Sequence, residues 1–140
     1  MNNWEPERVR KIWQRVQHQT TTQEVPLAEL FGGEMADGNI LFRIAGNFPN
    51  GERLRKIARE DQKHAMMMKN TFHFTESLKI QPQQRQHPKL MLQQCYERKL
   101  QRLAVYQGLQ SHPQWGDLFR NLARQEQRHC HILLEYLKPK

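Results

Sequence analysis

Cysteine is nearly missing from this chain: Cys95 and Cys130 are the only two in 140 residues, and no Cys-x-x-Cys pair occurs. That excludes a disulfide-stapled scaffold and a zinc or rubredoxin-type module, so both thiols are expected to be reduced and structural. Glycine and proline are sparse, seven of each. They fall mostly between periodic segments, which excludes a disordered or low-complexity chain. No apolar run approaches the roughly 20 residues needed to cross a bilayer. The opening MNNWEPERVRKIW lacks the apolar stretch of a secretory signal, so a cytoplasmic protein is expected.

What is present is helical periodicity, in a chain of a length that suits one domain with its own core. The pattern predicts a leader helix from Asn3 or Trp4 to about His18, with Val9, Ile12, Trp13 and Val16 on one side. The loop TTTQEVP follows, giving a leader segment over residues 1–25 and a bundle over 26–140. Four longer helices are expected at about Pro26–Gly46, Glu52–Leu78, Lys89–Leu109 and Gln114–Leu137. FPNG makes a tight turn, QPQQRQHP a polar crossover and SHP a break. Two helical hairpins joined by a longer connection make an all-α four-helix bundle.

Each helix carries an inward stripe stepping by threes and fours. The stripes are Leu27, Leu30, Glu34, Asp37, Leu41 and Ile44; Leu54, Ile57, Asp61, His64 and Met68; Leu92, Cys95, Lys99, Arg102, Tyr106 and Leu109; and Phe119, Leu122, Glu126, His129, Leu133 and Tyr136. Two ionisable residues stand in each where Leu would be expected.

The second and fourth helices repeat one another. KIAREDQKHAMMM (56–68) aligns without gaps to NLARQEQRHCHIL (121–133), an offset of 65 that turns Ala58, Arg59, Gln62 and His64 into Ala123, Arg124, Gln127 and His129. Asp61 matches Glu126 in charge. The same offset carries the first stripe onto the third with its apolar positions intact, but Glu34 and Asp37 become Lys99 and Arg102. The chain therefore has internal symmetry, with a carboxylate and a histidine one turn apart in each copy.

GGEMADGNILFRIA around Glu34, with DQKH (61–64) and EQRH (126–129) after it, resembles the ferritin-like superfamily, specifically its small rubrerythrin-like proteins, over about residues 26–137. In that family each hairpin supplies a Glu from its first helix and a Glu-x-x-His from its second, and the set holds two iron or manganese ions. The resemblance implies metal ligands at Glu34, Asp61, His64, Glu126 and His129, with Asp61 a shortened Glu. The sixth position falls on Lys99, and Glu97, two residues away, lies about 200° around the helix. Also implied are a homodimer, and redox chemistry: oxidation of ferrous ion, or reduction of peroxide or oxygen. Without a rubredoxin-like module, such turnover needs an external electron donor.

Three states of the core are compatible with these residues: a two-metal centre, an altered site with one metal, and a metal-free core in which Lys99 and Arg102 fill the place of the ions. Four inward carboxylates face two fixed cations, and the two histidines are able to make up the difference. Packed antiparallel, the first and third helices would pair Glu34 with Arg102 and Asp37 with Lys99. Tyr106 stands near the level of the site, as a core aromatic or as a hydrogen-bond donor and radical partner to the metal centre. The Met66–Met68 run suits core filling better than copper(I). His73, His87, His112 and His131 have no acid at ligand spacing and are expected at the surface or as caps.

A net charge of +8 raises another function class. Arg120, Arg124 and Arg128 form an exposed row on the fourth helix, and Arg8, Arg10, Lys11 and Arg15 crowd the leader. Such surfaces attract nucleic acid, anionic membrane or acidic proteins. No base-stacking motif or helix-turn-helix pattern accompanies this one, and a solvated basic face is the simpler account. The leader's Ile12, Trp13 and Val16 have no counterpart in the repeat, and are expected to pack on the bundle or on a neighbouring subunit.

Overall fold

The computed structural model describes residues 25–73 and 86–139. The expected leader helix and most of the expected crossover lie outside them. Among the described residues every regular element is helical: α1 Leu27–Ile44, α2 Glu52–Phe72, α3 Pro88–Gly108 and α4 Gly116–Leu137, with short 3-10 turns at Ala45–Asn47 and Leu109–Ser111. The all-α expectation holds for them. No helix among them is long and apolar enough to cross a membrane.

The helix ends differ from expectation for local reasons. α2 ends at Phe72, where His73 adopts a left-handed conformation (φ 53°) and its backbone N–H returns to the Lys69 carbonyl; the rest of the stretch expected to be helical, up to Leu78, lies outside the described residues. α3 begins at Pro88, one residue before the expected start at Lys89. A proline is tolerated at a first helical position because its missing N–H has no partner there. His87 caps that start: its Nδ1 accepts from the Lys89 N–H at 3.2 Å, and its carbonyl accepts from the Met91 N–H. His112, also followed by proline, repeats the device ahead of α4, its Nδ1 accepting from the N–H groups of Gln114 and Trp115 at 3.1 and 3.0 Å. Removing such a cap costs about 1 kcal/mol. His112→Ala should therefore lower stability by about that much in urea unfolding, whereas His131→Ala, at an exposed site, should leave the midpoint unchanged.

The chain forms two compact units, one of Leu27–Tyr96 with Leu133–Lys140 and the other including Glu97–Ile132. In the first, α1 and α2 form an antiparallel hairpin over buried Leu30, Leu41, Ile44, Leu54, Ile57 and Met68. Its turn uses Asn50 at φ 53°, a conformation that a short polar side chain tolerates. The last turn of α4 is fixed to that turn: the Tyr136 hydroxyl donates to the Asn50 carbonyl at 2.8 Å, its ring meets Phe48 edge-on at 5.8 Å, and Arg53 pairs with Glu135 at 2.9 Å. In the second unit α3 and α4 run antiparallel, so that Lys99 meets His129 and the Tyr106 ring stacks on Phe119 at 6.1 Å.

All four inward stripes are buried except at two ends, where Leu27 and Tyr136 are half-buried. The repeat also reaches the turns. In both hairpins a 3-10 turn precedes the second helix. Gly51 and Gly116, which share the 65-residue offset, bring their Cα atoms against a backbone carbonyl. A Cβ built on Gly51 would lie 2.1 Å from the Ala45 oxygen, and one on Gly116 would lie 2.4 Å from that of Gln110. Ala45 and Gln110 are themselves repeat equivalents.

Candidate metal centre

In the first unit the functional side chains come from two helices. α1 presents Glu34 and, one turn later, Asp37; α2 presents Asp61 and His64 one turn apart. All four are buried, none more than 3% exposed. His64 Nδ1 lies 3.5 Å from Glu34 Oε2, and one donor atom from each of Glu34, Asp61 and His64 falls within 4.8 Å of the others. Gly38 makes this convergence possible, a role that the periodicity did not disclose. A Cβ there would sit 3.2 Å from the Ala58 carbonyl oxygen and 3.5 Å from Asp61 Cβ, so the bare glycine lets α2 come close enough for Asp61 to reach the level of Glu34.

Two carboxylates and an imidazole form a donor set that suits iron(II) or manganese(II). Donors sharing one first-row ion at about 2.1 Å each stand no more than about 4.2 Å apart, so this group closes on an ion with side-chain shifts of about half an ångström. The residues of the first unit fit a metal.

The second unit holds the repeat equivalents in a different state. Lys99 Nζ donates to Glu126 Oε1 at 2.9 Å and lies 3.2 Å from His129 Nδ1. An ammonium only donates, so in that contact Nδ1 is the accepting atom; the same nitrogen lies 3.4 Å from Glu126 Oε1. Arg102 Nε stands 3.2 Å from the other carboxylate oxygen, Glu126 Oε2. Burial by itself would raise the Glu126 carboxyl, but the charges of Arg102 and then Lys99 outweigh it and hold the group well below the usual carboxylate range. Both cations thus share a carboxylate of their own hairpin, a pairing that stripe spacing alone did not single out. Lys99 thus contacts both residues that the resemblance gives as ligands in this copy.

Tyr106 is fully buried, its ring packed against Phe119 one turn beyond Arg102. Cys95 and Cys130 are buried thiols. In the Met66–Met68 run Met66 is exposed and Met68 is core, the alternation of a helix side rather than a convergent thioether set. Arg120, Arg124 and Arg128 are exposed, and Arg120 pairs with Asp117 at 2.8 Å. The offset of 65 maps this row onto Arg55, Arg59 and Lys63 of α2, where Glu52 engages both arginines. No protein-family model, curated protein or solved structure matches the chain.

Proposed function

We propose that this chain is a ferritin-like, rubrerythrin-type helical-bundle protein that binds a single divalent ion, iron or manganese, on Glu34, Asp61 and His64. The carrying observation is the convergence of those three donors within 4.8 Å in a fully buried setting. Charge supports a cation there: among the described residues of the first unit Glu34, Asp37 and Asp61 are buried beside His64, and no lysine or arginine of that unit is buried with them. A divalent ion would offset part of that negative charge, whose burial is otherwise costly.

Iron or manganese so bound would supply redox chemistry of the ferroxidase or peroxidase class, with electrons from an external donor. The residues of the chain hold the ion, keep bulk water away and balance its charge. In this reading Glu126 and His129 serve chiefly to hold Lys99.

The test is elemental analysis of protein expressed with iron and manganese supplied. About one ion per chain is expected in the wild type, lost in His64→Ala and kept in His129→Ala. Wild-type protein that is empty yet melts cooperatively would sink the proposal. It would favour a metal-free core in which protons make up the missing charge, and would turn attention to the exposed basic rows as an anion-binding surface.

A further inference from the structure

We infer that the Lys99 ammonium is a built-in cation occupying the second unit's counterpart of the metal position, and that it excludes an ion from that position. The inference rests on the reading above for its premise that the repeated pattern is a cation site. Three observations carry it.

First, the offset of 65 superposes Glu34, Asp61 and His64 on Lys99, Glu126 and His129; one member changes its charge, one keeps it, and one is identical. Second, Lys99 Nζ contacts both of the remaining members, at 2.9 and 3.2 Å. It bonds to the side-chain donors that a metal in this copy would use, and takes up the Nδ1 lone pair of His129. Third, Lys99 is fully buried. Lysine is almost never buried without partners that repay its desolvation, and here Glu126 and His129 are among those partners. A lysine selected only as a salt-bridge partner for Glu126 would have no need of the imidazole lone pair.

Restoring the first copy's residue should restore the site. Lys99→Glu supplies a carboxylate in place of the ammonium and releases Glu126 Oε1 and His129 Nδ1 together from their bonds to Lys99, with Arg102 remaining on Glu126 Oε2. Manganese content after dialysis should rise from about one to about two ions per chain, and adding His129→Ala to Lys99→Glu should return it to about one. A folded Lys99→Glu protein with the same manganese content as wild type overturns the inference while leaving the single-ion proposal standing. A metal-free wild type beside a Lys99→Glu variant that gains an ion lost on His129→Ala does the reverse.

Should the glutamate variant fail to fold, Lys99→Gln gives the same test by melting temperature. Saturating manganese should raise its Tm by more than it raises that of wild type, and His129→Ala should cancel the excess. Equal shifts in Lys99→Gln and wild type overturn the inference.

Discussion

Glu126→Gln should destabilise the protein by about 3–5 kcal/mol at pH 7, the cost of removing one partner from a buried ion pair. The carboxylate accepts from Lys99 at Oε1 and faces Arg102 at Oε2, and all three groups are fully buried. An amide of the same shape offers one oxygen without charge, and its NH2 group opposes a cation. Urea unfolding at constant m-value measures the loss.

The pH profile gives an independent check. Because the folded pKa of Glu126 lies well below that of the unfolded chain, the group's stabilisation is present in full above the unfolded value of about 4.3. It drains away as pH falls from there through the folded value. The gap in stability between wild type and Glu126→Gln should therefore begin to close near pH 4 and keep narrowing as pH falls further. Curves that run parallel through that range would mean that Glu126 is not held ionised by Arg102 and Lys99.

Gly51→Ala and Gly116→Ala should each cost about 3 kcal/mol, the upper end for overpacking, since the new Cβ meets a backbone carbonyl oxygen at 2.1 or 2.4 Å and backbone cannot swing aside as a side chain can. Gly46→Ala is the control, because the nearest atom to its added Cβ is the end of the flexible Arg55 side chain at 3.9 Å. It should change stability little. Equal effects at all three positions would show that the close approach of the new Cβ to the carbonyl oxygen does not set the cost.

The stripes were legible because burial on a helix writes its period into the sequence even where the buried residue is Asp61 or Lys99. The repeat was legible because His64 and His129 with their neighbours survive as letters. That Glu126 would serve both Lys99 and Arg102 was not, since spacing places a residue on a face without saying which neighbouring side chains it will reach. The end of α2 was hidden for a related reason: His73 takes the left-handed conformation that glycine usually announces. Gly38 is unremarkable in sequence, and its role exists only once Ala58 stands 3.2 Å from a hypothetical Cβ. Pro88 shows that the same residue type marks a loop or opens a helix depending on what caps it, and here the cap is His87.

The bond from Lys99 to Glu126 and His129 has a consequence for how the protein meets changing surroundings. A cation tethered to its site by its own backbone has an effective concentration that no chelator can lower and no dilution can exhaust. The positive charge that Lys99 brings to Glu126 and His129 is therefore fixed at synthesis, whereas the ion proposed for Glu34, Asp61 and His64 depends on supply. On that reading a shortage of iron or manganese would empty the α1–α2 donor set and leave the Lys99 bonds of α3–α4 in place, so that one half of a duplicated pattern responds to metal and the other does not.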